Sequence, residues 1–387
     1  MPEIQRTVIR PEYPQPSLCF YNSVTQKVQQ DIWVELEQGL WQDYKIDNRL
    51  YNDALGETNQ SKWKPVFENI YPVYPGFKII DGQKIEDCFY DPKVTTKADK
   101  SSFYDAASKF LNRFYGEKIG VHLSGGLDSS LIICILKMLG IPFYLVGLQS
   151  NRYEFRTEKI IQNILAPLGI ETVLLDMDEY PFYSDLLLTP KHQIPDSNIK
   201  VNKAHQAVAD EFKRMRVTVV FTGQGGDTLL TEDMTKHKLK RFNIRNEFTF
   251  PWDEDLIYSP RGIKLISFFS CTDIIDQICS LRQNMKEDVQ KWWARNFFKD
   301  ILPRELSEYA YCADFFGHSM SGLEAAKQDI KLLFEESYEL TGHPIFSPSQ
   351  TDRMLETDVF SFEYKDYCEF CTKISIAVWY HSLFRKV

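Results

Sequence analysis

The chain has 387 residues, of which 43 % are hydrophobic and 26 % are charged, the composition of a globular protein rather than a disordered one. Its 45 basic and 54 acidic residues leave a formal net charge of −9, which argues against broad nucleic-acid binding, because that function needs a basic surface. No apolar run reaches the roughly 18 residues of a membrane span, and the first residues lack the apolar core of a secretory signal. We therefore expect a cytoplasmic protein.

Residues 1–100 have short apolar stretches that proline and polar residues interrupt. Alternating residues in the stretch 73–90, around an Asp81-Gly82 pair that is typical of tight turns, predict a β-hairpin. The polar stretch 91–101 that follows is typical of a linker. These features predict a small, partly β region over residues 1–100 and a second domain over residues 101–387.

From residue 101, apolar stretches of strand length alternate with stretches of helix length. This alternation predicts βαβ units and an α/β fold with a doubly wound parallel sheet, in which nucleotides bind at the carboxyl ends of the strands. The predicted helices cover residues 103–116, 130–140, 154–168 and 203–214, and the predicted strands cover 119–124, 142–148, 171–177 and 217–223. Beyond about residue 230 the strand pattern weakens, so we predict a helical C-terminal half in which the aromatic residues pack in the core.

A glycine- and serine-rich loop follows the first predicted strand of this domain, with the sequence SGGLDSS at residues 124–130. Glycine lets the backbone approach an anion closely, and the start of the following helix supplies free N–H groups and a partial positive charge. Asp128 would repel a phosphate group unless a cation lay between them, so Asp128 is a candidate Mg²⁺ ligand. The loop lacks the GK[ST] of a Walker A motif.

A second glycine-rich segment, TGQGGDTLL, begins at Thr222 at the end of a later predicted strand. Its glycines again allow close backbone approach, and Asp227 offers a second carboxylate to a cation. The two segments together, each in a strand–loop–helix context, predict a site for a nucleotide with its metal ion.

The SGGLDSS string resembles the pyrophosphate-binding loop of the ATP pyrophosphatases, and it is most similar to that of the asparagine synthetase family. The second segment resembles the family's GEGxDE segment in a GGD form. The resemblance implies ATP and Mg²⁺ as cofactors, with Asp128 and Asp227 holding the metal ion, and with Leu123, Val146 and Gly223 lining the adenine and ribose. The other nucleotide-binding residues that it implies are Ser124, Gly125, Gly126, Ser129, Ser130 and Thr222.

Two positions depart from the family pattern. Gln224 stands where asparagine synthetases have a glutamate that helps to manage the incoming amine, and a neutral amide cannot act as a base. Downstream, the match places Cys312 where the family has a lysine that contacts the phosphates. Either another cation such as Arg304 or Lys327 replaces this lysine, or the register of the match differs, or the activity is low.

The first 100 residues are too few for the glutaminase domain that glutamine-dependent asparagine synthetases carry, and residues 74–92 resemble the end of such a domain. The resemblance therefore implies a truncated glutaminase-like or accessory region that releases no ammonia. The remaining activity would be adenylation of a carboxylate with release of AMP and pyrophosphate, followed by attack of an amine. Relatives with this chemistry include β-lactam synthetases and the macrolactam synthetases of lasso peptides, so the expected substrate is a precursor peptide or a small amino-acid-derived molecule.

Three alternatives stay open from the sequence. The chain could be an asparagine synthetase-like enzyme that uses free ammonia, against which Gln224 and Cys312 argue. It could be a catalytically silent nucleotide-binding partner of other biosynthetic proteins, which Cys312 favours. Chemistry on tRNA is the least favoured, because the chain is acidic and lacks paired cysteine motifs for zinc.

Overall fold

The computed structural model describes the N-terminal part of the chain in short strands and a turn at Val24 and Thr25, and the remainder in longer ranges. Those longer ranges are 92–150, 156–189, 197–231, 257–309, 316–343, 346–356 and 364–384. Cys312 and the predicted turn at Asp81-Gly82 lie outside the described residues.

The chain divides into two compact units, which we call the sheet unit and the helical unit. The sheet unit takes its described residues from the ranges 75–178 and 206–314, and the helical unit takes its own from 17–74, 179–205 and 315–387. The predicted division at residue 100 stays a prediction.

Five short strands come first in the described chain: β1 (Cys19–Asn22), β2 (Lys27–Gln29), β3 (Ile70–Val73), β4 (Phe77–Ile80) and β5 (Lys84–Asp87). Strands β1 to β3 belong to the helical unit and form an antiparallel sheet in the order β2-β1-β3. Strands β4 and β5 of the sheet unit pair with each other antiparallel, as the predicted hairpin requires.

The main sheet has five parallel strands in the order β10-β9-β6-β7-β8. The strands are β6 (Ile119–His122), β7 (Phe143–Gln149), β8 (Thr172–Asp176), β9 (Val219–Thr222) and β10 (Lys264–Ser267). The first four confirm the predicted strands. One strand lies within the part that the sequence predicts to be helical, because β10 pairs with β9 from Lys264↔Val219 to Ser267↔Thr222; the other elements described beyond residue 230 are helical, as predicted. A four-residue edge strand beside a 3₁₀ turn of Phe268–Ser270 is too short to show a strand pattern of its own.

Helices precede, separate and follow the strands of the main sheet: α1 (Lys100–Leu111), α2 (Leu127–Met138), α3 (Arg156–Leu165), α4 (Asn202–Arg214), α5 (Gly226–Thr231), α6 (Thr272–Leu281), α7 (Trp292–Phe297) and α8 (Arg304–Glu308). The predicted helix at 103–116 begins earlier, at Lys100, because Asp99 and Ser102 form a capping box. Each of the other predicted helices has a counterpart, displaced by a few residues at its ends.

The sheet buries apolar side chains on both faces, which explains why its strands lack an alternating pattern. On one face, strand residues such as Val121 and Phe221 pack with α1 and with α2, whose residues 129–136 are all buried. On the other face, Val220 packs with Val208 and Phe212 of α4. The fold of this unit is therefore the predicted doubly wound α/β sheet.

The helical unit contains four further helices: α9 (Phe316–Ala325), α10 (Lys327–Thr341), α11 (Pro348–Glu356) and α12 (Tyr364–Phe384). Trp379 and Tyr380 of α12 are fully buried, which confirms the prediction that the aromatic residues of this stretch pack in the core. Of the helices in the described ranges, none combines the length and the apolar character that crossing a membrane requires.

Candidate active site at the ends of β6 and β9

The two glycine-rich loops lie side by side because of the strand order. The chain passes from β6 to β7 and β8 on one side and then returns to place β9 on the other side of β6. Strands β6 and β9 therefore flank the point where the strand order reverses, and the carboxyl ends of strands at this point are where open α/β sheets bind ligands.

Hydroxyl groups organise the first loop, residues 123–126, at the start of α2. The Ser124 and Ser129 hydroxyl oxygens lie 2.6 Å apart, and the N–H of Gly126 donates to Ser124 Oγ at 3.2 Å. The Ser130 hydroxyl donates to the Gly126 carbonyl at 2.6 Å. Gly126 has no side chain with which to cap α2, so the first N–H groups of this helix are available to an anion.

Gly125 is the position where the first loop requires glycine. Its φ of +84° lies in the left-handed region, and a Cβ atom there would lie 2.6 Å from the carbonyl oxygen and 2.8 Å from the Cα of Glu158. The loop therefore packs directly on the backbone of α3. This contact places the phosphate-binding candidate residues against α3.

The second loop packs its glycines against Asp128. A Cβ atom on Gly226 would lie 2.5 Å from Asp128 Cγ, and a Cβ atom on Gly223 would lie 2.9 Å from the Ser129 nitrogen. The hydroxyl of Ser267, at the end of β10, donates to the Gln224 carbonyl at 2.7 Å and holds this loop in place. The structure thus brings the two predicted loops into direct contact.

Lys291 joins the two predicted metal ligands. Its Nζ donates to Asp128 Oδ2 at 2.6 Å, to Asp128 Oδ1 at 2.9 Å and to Asp227 Oδ1 at 2.5 Å. The side chain of Asp128 is 16 % exposed and that of Asp227 is 90 % exposed. One carboxylate of the pair is therefore mostly buried and the other is exposed to solvent, with a buried ammonium group between them.

Burial and charge shift the pKa values of Asp128 and Lys291 in opposite directions. Burial raises the pKa of Asp128 above its usual value, and the charge of Lys291 opposes this rise. Burial alone would lower the pKa of Lys291, but the carboxylates of Asp128 and Asp227 raise it above the usual value of a lysine. The lysine is therefore positively charged at neutral pH, and the site contains a fixed cation between its two carboxylates.

Sequence reasoning did not identify Lys291. The residue lies 64 positions after Asp227 along the chain, beside Trp292 and Trp293, in a stretch predicted only to pack. The two cations considered as replacements each form an ion pair with a nearby glutamate. Arg304 is an exposed residue that pairs with Glu308, and Lys327 pairs with Glu324.

The remaining predicted residues occupy different environments. Leu123 and Val146 have fully buried side chains, and the Leu123 N–H donates to the Val146 carbonyl at 2.8 Å. Any contact of these two residues with a nucleotide would therefore involve the backbone. Thr222 is buried, its hydroxyl accepts from the Gln224 N–H at 3.2 Å, and Gln224 is half-buried. Cys312 lies outside the described residues.

The donor set of this site suits a Mg²⁺ ion that arrives with a nucleotide. Within the described ranges, no group of three or more His, Cys, Asp or Glu side chains is placed to hold a metal ion. Two carboxylates, however, are sufficient for Mg²⁺ when phosphate oxygens and water complete its coordination. Asp128 and Asp227 would supply these two ligands.

Comparison with known families agrees with the position of this site. The family model described as asparagine synthase matches residues 112–262, a range that includes β6 to β9 and both glycine-rich loops. No curated protein sequence shows a significant match to the chain.

Proposed function

We propose that the chain is an ATP-dependent ligase that forms amide bonds through an acyl-adenylate, and the match of residues 112–262 to the asparagine synthase family model supports this proposal. In the first step a carboxylate oxygen attacks the α-phosphorus of ATP, and the bond to the bridging oxygen breaks to release pyrophosphate. An amine nitrogen then attacks the acyl carbon. The bond to AMP breaks, and the amine loses a proton to give the amide.

The observation that carries this proposal is the arrangement of Asp128, Asp227 and Lys291 at the ends of β6 and β9. An ammonium group within hydrogen-bonding distance of both carboxylates lies beside two glycine loops and the start of a twelve-residue helix. Positive charge, free N–H groups and carboxylates for a cation are together what a polyphosphate chain requires. The loops supply the N–H groups and the carboxylates, and Lys291, which lies outside both loops, supplies the positive charge.

Each residue has a distinct role in the proposal. The N–H groups at the start of α2 and the hydroxyl groups of Ser124 and Ser129 bind phosphate oxygens. Asp128 and Asp227 would hold Mg²⁺, which when bound offsets the charge that accumulates on the leaving pyrophosphate. Lys291 supplies the fixed cation that the family resemblance expected at the position of Cys312. Its charge favours the transition state because it is already oriented in a buried site.

The substrate that we propose is a carboxylate of a peptide or of a small amino-acid-derived molecule, with a second group of the same or another molecule as the amine. Support comes from Gln224, whose neutral amide cannot act as the base for free ammonia. An amine that is already held beside the acyl group gains its rate from proximity, which is worth about 7–11 kcal/mol at best. Macrolactam formation in the biosynthesis of a natural product is one reaction of this kind.

The test uses purified protein with Mg²⁺ and ATP labelled at the α-phosphate, in the presence of a protein-free extract of peptides and metabolites from the host cell. We expect equal amounts of AMP and pyrophosphate from the parent chain. The Asp128→Asn and Lys291→Met variants should lose about 100-fold or more of this activity, as enzymes do when one group that stabilises transition-state charge is removed. Lys100→Met is the matched control, because Lys100 forms a comparable 2.6 Å ion pair on the surface, with Asp300.

Other outcomes distinguish the alternatives. Formation of ADP and phosphate would contradict adenylation. Formation of AMP and asparagine from aspartate and ammonium alone would identify an ammonia-dependent enzyme. Binding of Mg·ATP without turnover in any mixture would favour the silent nucleotide-binding partner.

A further inference from the structure

We propose that Arg295 is a positioning residue of this site, which fixes the chain before α7 so that Lys291 Nζ lies between Asp128 and Asp227. The inference rests on the proposed function, because it assigns the residue that makes the lysine effective. The hydrogen bonds that carry this inference run from Arg295 to backbone carbonyls around Lys291, and the charge of Arg295 also acts on Asp128.

Lys291 needs such support because of its backbone conformation. It lies immediately before α7 with φ 56° and ψ 34°, in the left-handed region that residues with a side chain rarely adopt. A residue keeps such a conformation only where the surrounding structure enforces it. The direction of the lysine side chain, and so the position of Nζ, depends on this one backbone conformation.

Arg295 is connected to both sides of Lys291. Its Nε donates to the Gln290 carbonyl, the one just before Lys291, at 3.0 Å, and its own N–H donates to the Lys291 carbonyl at 3.0 Å. The other end of the guanidinium donates through Nη1 to the Tyr309 carbonyl at 2.6 Å and to the Leu306 carbonyl. Arg295 therefore joins the chain before α7 to the end of α8.

The chemistry of this connection requires arginine. The residue is 3 % exposed, so its charge is surrounded by protein and its donors must all be directed at acceptors. Only the planar guanidinium has donors rigid enough and far enough apart to reach carbonyl groups of two segments at once. Lysine keeps the charge and most of the length but cannot reproduce this fork.

A second set of contacts supports the same loop from the other direction. The N–H of Lys291 donates to the Asp288 carbonyl at 2.9 Å, and Asp288 Oδ2 accepts from the Trp293 N–H at 2.7 Å. These contacts form a turn that begins at Asp288, and Arg295 holds the chain where the turn ends. The loop therefore has a defined start at Asp288 and a defined end at Arg295, with Lys291 between them.

The test is a double-mutant cycle on the binding of Mg·ATP, measured by titration calorimetry with Arg295→Lys, Lys291→Met and the double variant. We expect Arg295→Lys to weaken binding by about tenfold, or about 1.4 kcal/mol, in the parent background. In the Lys291→Met background it should have almost no further effect, because the lysine that it positions is already gone. Arg304→Lys is the matched control, since Arg304 is an exposed arginine on α8.

The results test the proposed function and the role of Arg295 separately. A parent chain that does not bind Mg·ATP would overturn the proposed function. Normal binding by the parent with an unaltered affinity in Arg295→Lys, or equal losses in both backgrounds, would overturn the role of Arg295 alone. An unaltered affinity in Lys291→Met would overturn it as well. Circular dichroism and thermal melting check folding, and if Arg295→Lys does not fold, Arg295→Gln takes its place in the cycle with the same expected non-additivity.

Discussion

Replacing Gly226 by alanine should damage the site through a single steric contact. The new Cβ atom would lie 2.5 Å from Asp128 Cγ, 2.8 Å from its Oδ1 and 2.9 Å from its Cβ. Carbon atoms pack at about 3.5–4.0 Å, so the Asp128 carboxylate has to move by about 1 Å. The core buries α2 along most of its length, so the side chain moves rather than the helix.

The size of the effect follows from the contacts that Asp128 would lose. Its oxygens now accept from Lys291 Nζ at 2.6 and 2.9 Å, and a displacement of about 1 Å takes both contacts beyond the usual hydrogen-bonding range. A hydrogen bond to a charged group contributes about 1.5–3 kcal/mol. We therefore expect the Gly226→Ala variant to bind Mg·ATP about 10- to 150-fold more weakly than the parent.

The assay is titration calorimetry with Mg·ATP, with Gly140→Ala as the control at a glycine outside both loops. Gly140 lies just after α2, and a Cβ atom there would meet nothing within 4 Å. The control should bind within about two- to threefold of the parent. Equal affinities of Gly226→Ala and the parent, or an equal loss in Gly140→Ala, would refute the reasoning from the Asp128 contact.

Two further substitutions test the surroundings of the first loop. In Gly125→Ala the new Cβ atom would lie 2.6 Å from the Glu158 carbonyl oxygen, so the affinity for Mg·ATP should fall by at least about tenfold. The control is Gly140→Ala, where φ is also positive, at +69°, but the Cβ atom would meet open space, so the affinity should be unaltered. Similar losses in the two variants would show that the φ value, not the contact, is responsible. In Gln162→Met the buried amide that donates to two strand-end carbonyls at 2.8 and 3.0 Å is lost, and the free energy of unfolding should fall by about 2–4 kcal/mol in urea denaturation. A fall below about 0.5 kcal/mol would mean that other groups satisfy these carbonyls.

Much of the candidate site was accessible from the sequence because it is local. SGGLDSS places serines, glycines and Asp128 within seven consecutive residues, and the strand before it and the helix after it follow from apolar patterns of different length. The TGQGGD segment likewise places its glycines and Asp227 within six consecutive residues. A parallel sheet then brings the two loops together, since the carboxyl ends of its strands share one edge.

The two features that the sequence did not predict depend on contacts between distant parts of the chain. Strand β10 has four residues and is defined by its pairing with β9, about 45 residues earlier. Lys291 has no motif, and its direction depends on a left-handed backbone conformation that no local residue preference predicts.

The sequence by itself therefore determined the doubly wound sheet, the two loops and the two carboxylates, because hydrophobic periodicity and glycine-rich turns act over a few residues. Only the tertiary structure decided which cation faces Asp128 and Asp227. That choice belongs to the packing of α7 and α8, where Arg295 fixes the chain around Lys291 through hydrogen bonds to backbone carbonyls. Such carbonyls are present in every residue, so their arrangement leaves no signature in the amino-acid sequence.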